Sequence, residues 1–91
     1  MDIQFQAHHA VISDTMRTRA EREVRRAAKR IPRVVAAVIR FEQDGARRRV
    51  SLSFRAPRHH DLIADAEGRY FGPVLAQAIT RVLAQATHAK R

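Results

Sequence analysis

The feature that most constrains the fold is a pair of segments with apolar residues at every second position, joined by a short turn. The two sets are Val35, Ala37, Ile39 and Phe41, followed by Val50, Leu52, Phe54 and Ala56. Such alternation is typical of strands with one buried face. Asp44-Gly45, which lies between the sets, favours a tight hairpin because both central residues of the turn must tolerate positive φ. We therefore expect two antiparallel strands on one core.

Four further segments have equally simple patterns. Residues 3–7 alternate as a half-buried strand, and residues 62–67 form a fourth, weaker strand that Gly68 ends. The first helix begins at the N-cap Ser13 and stops at Pro32. The second helix accepts Pro73 in its first turn. The expected core positions of the two helices are Met16, Ala20, Val24, Ala27 and Ile31, and then Phe71, Leu75, Ala78, Ile79, Val82, Leu83 and Ala86.

The resulting order is β-α-β-β-β-α over residues 1–91, which predicts one α+β domain of two layers. Both helices cover one face of a four-stranded sheet. The first connection is a right-handed crossover, so strands one and two run parallel and the rest form an antiparallel meander.

The charge balance limits the possible partners. The chain has 18 Lys and Arg against 9 Asp and Glu, a net charge of +9, which favours a polyanion: nucleic acid first, an anionic membrane surface second. No apolar run approaches the ~20 residues of a membrane span, so we expect a cytoplasmic protein. The 91 residues contain no cysteine, no Gly-rich phosphate loop and no evident pairing of nucleophile and base. We therefore expect no enzyme activity, cofactor or small-molecule substrate.

The first helix carries the most directed charge. On a helical wheel, five basic residues share one arc nearly opposite the apolar arc, flanked by Glu21 and Glu23. These five are Arg19, Arg22, Arg26, Lys29 and Arg30. Arginine suits forked contacts with phosphate. The competing interpretation is a solvated face with ion pairs four residues apart, such as Glu21 with Arg25.

Other basic residues have less certain roles. The second helix has Tyr70, Gln77, Arg81 and His88 on its outward face, followed by Lys90 and Arg91; these cations suit a helix C-terminus or an anionic partner equally. The Arg47–Arg49 cluster either grips phosphate or guards a strand edge against pairing.

Two histidine pairs and the open sheet face complete the candidates. His8-His9 and His59-His60 fall at opposite ends of the predicted sheet, so we expect no metal site there. Aromatic residues make up only 5% of the chain, which disfavours a stacking platform and favours recognition of phosphates and shape. Apolar residues on the outer face, namely Val34, Ala36, Val38 and Ile63, leave a homodimer through that face possible.

Two stretches resemble a known family, the ribosome hibernation-promoting and ribosome-associated inhibitor factors, also called sigma-54 modulation proteins. Ala7-His8-His9, leading into Ile12-Ser13-Asp14-Thr15-Met16-Arg17, resembles the family's first strand and helix start. Leu62-Ile63-Ala64-Asp65-Ala66-Glu67-Gly68 resembles its fourth strand. The resemblance spans nearly the whole chain and is to the short form of the family.

The resemblance implies a fold similar to double-stranded RNA-binding domains. It implies binding to rRNA in the mRNA and tRNA channel of the small ribosomal subunit, which silences idle ribosomes under stress. Family contacts come from basic residues on both helices; Arg17 and Arg26 match such positions in the first, Arg81 and Lys90 in the second. The alternative from the residues alone is a binder of structured RNA or double-stranded nucleic acid that is not tied to the ribosome.

One segment departs from the family pattern. The usual acidic-aromatic start of the second helix is replaced here by Arg69-Tyr70-Phe71-Gly72-Pro73-Val74. Ala84 and His88 also stand where the family is usually basic. The first helix is correspondingly rich in arginine.

Overall fold

A computed structural model of the chain describes residues 1–57 and 60–89, with the backbone alone for 88 and 89. It contains six elements in the predicted order: β1 (Asp2–His8), α1 (Asp14–Ala28), β2 (Ala36–Asp44), β3 (Arg47–Arg55), β4 (Leu62–Gly68) and α2 (Phe71–Ala89). The strands form one sheet in the order β1-β2-β3-β4. β1 and β2 are parallel, and the other neighbours are antiparallel. The predicted α+β fold is confirmed.

The core lies between the sheet and the two helices. Buried residues recur at every second position of β2, β3 and β4, and they form one cluster with the buried sides of α1 and α2. Both helices therefore cover the same face of the sheet. The largest fully buried side chains include Phe41, Phe54, Ile39, Leu52 and Leu75. Within the described ranges no polar or charged residue is buried, so hydrophobic burial is the main source of the stability of this fold.

The start of α1 follows the sequence prediction, and its end does not. The Ser13 side chain accepts a hydrogen bond from the Met16 backbone N–H at 3.1 Å, as an N-cap does. The helix ends at Ala28, earlier than the expected stop at Pro32. Lys29 follows as the C-cap.

A short turn, not a helix, carries the chain from Lys29 to Pro32. The N–H of Arg30 donates to the carbonyl of Ala27 at 3.0 Å, and the N–H of Ile31 donates to Ala28 at 3.1 Å. These bonds span three residues, which is the tighter spacing common at helix ends. Ile31 still reaches the core, with 6% of its surface exposed.

The hairpin between β2 and β3 is confirmed, but its centre lies one residue later than expected. Asp44 pairs with Arg47 as the last residue of β2, so Gly45 and Ala46 are the central residues. Gly45 has φ 60°, whereas the φ of Ala46 is not positive. Positive φ at the first central position alone is the type II′ pattern, which favours glycine there.

Two predicted orientations of apolar residues are wrong. Val35 was expected to face the core and Val34 the outer face; instead Val34 packs against the core, and Val35 is 46% exposed. Both residues lie before β2, which begins at Ala36, and follow Arg33, whose φ is 63°, so the alternation of the strand does not extend to them. Ala7 is also exposed, because it lies near the end of the edge strand β1.

α2 also covers the outer edge of β4. The Gln85 side chain accepts from the N–H of Ile63 at 3.2 Å and donates to its carbonyl at 2.6 Å. Arg81 donates to the carbonyl of Asp65 at 2.6 Å. These side chains occupy backbone groups that would otherwise offer pairing to another strand.

Candidate nucleic-acid interface

Glu21 and Glu23 of α1 each form an ion pair with an arginine of the same helix. Glu21 pairs with Arg25 at 3.1 Å, and Glu23 pairs with Arg19 at 3.1 Å. Each pair spans four residues, the spacing that brings side chains together on a helix. Both acids that flank the predicted stripe are therefore already neutralised within the helix.

Of the five basic residues in the predicted arc, four have no carboxylate partner in the part of the chain that the structure describes. These residues, which we call the α1 stripe, are Arg22, Arg26, Lys29 and Arg30. Three of them line one shallow surface depression with Glu21 and Arg25. Lys29 and Arg30 lie in the turn after α1, but the turn keeps them beside Arg26. The structure thus concentrates four positive charges on one exposed surface.

Arg19 is held by the protein itself. Besides its ion pair with Glu23, its guanidinium lies against Gly72, at the start of α2. A Cβ at position 72 would come 2.8 Å from Arg19 Nη1, which is closer than side chains normally approach. The absence of a side chain at Gly72 therefore leaves room for the Arg19 guanidinium beside the start of α2. The ion pair with Glu23 leaves Arg19 less free to bind an external anion.

Arg17 lies on the other flank of α1. Its guanidinium sits over the Phe5 ring, 4.9 Å from the ring centroid, and it lines a depression between α1 and β1 with Asp14. A cation over an aromatic face is attracted by the ring's negative face. Arg17 is thus directed to β1 and stands apart from the α1 stripe.

Arg81, the predicted contact of α2 whose side chain the structure describes, does not join the α1 stripe. Arg81 lies on the flank of α2 that faces β4, where it bonds the Asp65 carbonyl. The opposite flank, with Ala76, Ile79 and Leu83, faces α1. Three further predicted contacts, His88, Lys90 and Arg91, lie outside the described side chains.

Two residues of the Arg47–Arg49 cluster form ion pairs with carboxylates of β4. Arg47 pairs with Glu67 at 3.4 Å, and Arg49 pairs with Asp65. The hydrogen bond and charge of Asp65 raise the pKa of the Arg49 guanidinium above its usual value. Since β3 is an inner strand, the interpretation that this cluster guards a sheet edge is wrong.

Arg48 points to the other side of the sheet. It donates to the backbone carbonyl of Arg69 and lies over the Phe71 ring, 5.7 Å from its centroid. On the open face, Arg40 and Glu42 form a further pair at 2.8 Å. The open face is therefore close to neutral, whereas the α1 stripe on the helix side is strongly positive.

Sequence reasoning missed the charge pairs across the sheet. Arg47 and Arg49 alternate on β3, and Asp65 and Glu67 alternate on β4. Had the register been known, opposite charges on one face would have predicted these pairs. The pairing of Arg19 with Glu23 had a local signal, the same spacing of four that predicts Glu21 with Arg25.

The histidine pair His8-His9 forms an edge-to-face contact, with ring centroids 5.2 Å apart. Among the residues that the structure describes, no group of three or more His, Asp or Glu side chains is arranged to hold a metal ion. His59 of the second pair lies outside the described residues. No helix in the described ranges is long and apolar enough to cross a membrane.

The expected apolar patch on the open face is smaller than the sequence indicates. Val34 packs against the core, which leaves Ala36 and Val38 partly covered and Ile63 exposed. These residues adjoin the charge pairs of β3 and β4. A homodimer through this face stays a prediction.

The fold defines a class: an α+β domain in which two helices cover one face of a four-stranded β-α-β-β-β-α sheet. Solved structures share it over nearly the whole chain. A ribosomal subunit interface protein from Coxiella burnetii has a TM-score of 0.87 at 19% identity, with 99% of this chain and 98% of that chain covered. The N-terminal domain of Protein Y from Thermus thermophilus has a TM-score of 0.82 at 17% identity, with 97% and 98% covered.

These two solved structures confirm the β-α-β-β-β-α fold. No protein-family model matches the sequence. A comparison with curated proteins finds no significant match either.

Proposed function

We propose that this chain is a member of the ribosome hibernation family that binds rRNA of the small ribosomal subunit in the mRNA and tRNA channel. The observation that carries the proposal is the α1 stripe: four cations without carboxylate partners among the described residues, beside two ion pairs that neutralise Glu21 and Glu23. Two proteins of the same fold support it by their names, a ribosomal subunit interface protein and Protein Y.

The mechanism is steric and needs no catalysis. The guanidinium groups of the stripe contact rRNA phosphates, since a planar fork of donors matches phosphate oxygens. A packed domain held in the channel then occupies the path of mRNA and tRNA. The near-neutral open face of the sheet has little attraction for rRNA, so it points away from the contact. The chain acts as a single domain over residues 1–91, in the cytoplasm where ribosomes work.

The binding surface extends the stripe to both sides. Arg17 and Arg19 flank it on α1, and Arg81, His88, Lys90 and Arg91 supply the contacts of α2. We expect the stripe to contribute most, because Arg19 and Arg81 already bond groups of the protein. Replacing a stripe residue removes a charge that no carboxylate of the described residues neutralises, so we expect the replacement to weaken RNA binding.

The second candidate is a binder of structured RNA that is not specific for ribosomes. One observation favours it: phosphate contacts from a basic stripe carry no base readout. Competition separates the two functions. Fluorescently labelled protein is bound to small ribosomal subunits at about 150 mM salt. Duplex RNA is then added stepwise, from equimolar nucleotides to a molar excess of nucleotides over those of the subunits.

A ribosome-binding factor stays on the subunits, because it fits a shaped site as well as phosphates. A general RNA binder moves to the duplex in proportion to the phosphates supplied. Complete displacement by equimolar nucleotides contradicts the ribosomal function and leaves RNA binding intact.

A further inference from the structure

A groove between α1 and α2 joins the α1 stripe to an apolar floor. Arg26 and Arg30 line the groove on one side, and Ala76, Ile79 and Leu83 form its apolar floor on the other. The volume of the groove is about 170 Å³. A cavity of about 150 Å³ holds a benzene ring. The groove therefore has room for one planar ring, though not for a base pair or a helix.

The floor exposes apolar surface that the core leaves uncovered. Ile79 and Leu83 pack against the core but are only partly buried. Ala27 and Ala76 beside them are small, so the two helices leave a gap instead of closing over these side chains. Apolar surface of this kind gains free energy when a flat apolar group covers it.

The two arginines of the groove determine which charge a bound molecule must carry. Arg26 and Arg30 have no carboxylate partner within the described residues, and both border the groove. Two arginines select an anion, and a guanidinium also stacks on a flat ring. The occupant therefore combines a flat apolar body with negative charge at its sides.

Glu23 gives the groove an acceptor as well. One of its oxygens, Oε2, accepts from Arg19 at 3.1 Å, which anchors the carboxylate at the groove wall. A carboxylate accepts hydrogen bonds from the amino group of a base such as cytosine. The groove thus offers stacking, anion pairing and a hydrogen-bond acceptor together.

We propose that this groove binds one unpaired ribonucleotide, with its base on Ile79 and Leu83 and its adjoining phosphates on Arg26 and Arg30. The proposal rests on the RNA-binding function above. Arg26 belongs both to the stripe and to the groove, so an RNA strand that lies on the stripe continues over the groove. A paired base cannot enter without leaving its helix, whereas a bulged or single-stranded one can.

Two RNA hairpins with the same stem test the proposal, one fully paired and one with a single bulged nucleotide. Binding is measured by fluorescence anisotropy at about 50 mM salt, where phosphate contacts are strong. We expect the bulged hairpin to bind roughly tenfold more tightly, the range given by stacking of one base. Hairpins with each of the four bases in the bulge show whether Glu23 gives a preference for a base with an amino group.

A matched pair of variants locates the effect. Ala76→Glu places a carboxylate in the groove, and Gln77→Glu places one on the exposed surface of α2 at the next position, about 100° further round the helix and outside the groove lining. Both change the net charge equally and should weaken binding to the paired hairpin by a similar factor. We expect Ala76→Glu to abolish the preference for the bulge and Gln77→Glu to retain it.

The outcomes separate the two proposals. Equal binding of both hairpins, or a bulge preference that survives Ala76→Glu, overturns the groove even when small subunits still bind. Failure to bind small ribosomal subunits overturns the ribosomal function, whatever the hairpins show. Circular dichroism of both variants verifies that they are folded.

Discussion

The ion pairs of α1 make a quantitative prediction about salt. Arg22 has no carboxylate partner among the described residues, whereas Arg25 pairs with Glu21 at 3.1 Å. Arg22→Gln and Arg25→Gln remove the same charge from exposed positions of one helix. The structure predicts that the first residue contacts phosphate and that the second does not.

The magnitude follows from the number of phosphates that the stripe neutralises. Each contact adds about −0.9 to the slope of log affinity against log salt concentration on a double-helical target. Four contacts give a slope of about −3.6, or a roughly 150-fold loss of affinity between about 50 and 200 mM salt. Arg22→Gln should lower this loss to about 40-fold. Arg25→Gln should leave the slope unchanged within about 0.3.

The assay is an anisotropy titration of each protein with labelled RNA at several salt concentrations. The affinity of Arg25→Gln is expected to fall at all concentrations, because it frees the carboxylate of Glu21 beside the stripe. An equal loss of slope in both variants would refute the argument that the ion pair keeps Arg25 out of the interface. An unchanged slope in Arg22→Gln would show that the stripe does not neutralise phosphate.

Two further predictions concern the fold. Gly68→Ala should destabilise the protein by about 1–3 kcal/mol, because its Cβ would lie 2.9 Å from Cγ2 of the buried Val74; chemical denaturation measures this, and Gly68→Ala combined with Val74→Ala should lose less than the sum of the single losses. Additive losses would contradict the steric clash. Gln85→Ala removes both side-chain bonds to Ile63 and should accelerate hydrogen exchange of the Ile63 amide by roughly fivefold, as loss of about 1 kcal/mol at one bond implies. An unchanged exchange rate would show that Gln85 does not protect this edge.

Local patterns in the sequence predicted the element order because each element carries its own period. Apolar alternation marks the strands, and Ser13 marks the start of α1. Such signals act over a few residues, so they can be read without knowledge of the tertiary structure. The sequence prediction placed the centre of the hairpin turn one residue too early, because Asp44 suits both a turn and the end of a strand.

The errors at Val34 and Val35 concern residues that lie just before a strand. Arg33 adopts a left-handed φ of 63°, which few residues other than glycine and asparagine favour. No pattern in the sequence announces it, and strand alternation could not place Val34 and Val35, because both lie before β2 begins at Ala36. Pro32 disfavours helical geometry at Ile31, but α1 already ends three residues earlier, at Ala28.

The candidate site was predictable in part. Helical periodicity placed Arg22 and Arg26 on one arc, because position on a helix follows directly from sequence. Lys29 and Arg30 lie beyond the end of α1 at Ala28, and the turn keeps them beside Arg26. Whether a basic residue is available to bind an external anion depends on whether a carboxylate of the protein pairs with it. The pair of Arg19 with Glu23 is local, but the cross-strand partners of Arg47 and Arg49 depend on the register between β3 and β4, which the sequence does not specify. The groove between the helices depends on tertiary packing in the same way.

Co-sedimentation with small ribosomal subunits tests the central claim most directly. The variant carries Arg22→Glu, Arg26→Glu and Arg30→Glu together, all at exposed positions, and circular dichroism shows whether it is folded. We predict that the wild-type protein pellets with small subunits at about 150 mM salt and that the folded variant stays in the supernatant. Undiminished pelleting of the folded variant would contradict the assignment of the α1 stripe as the ribosome-binding surface.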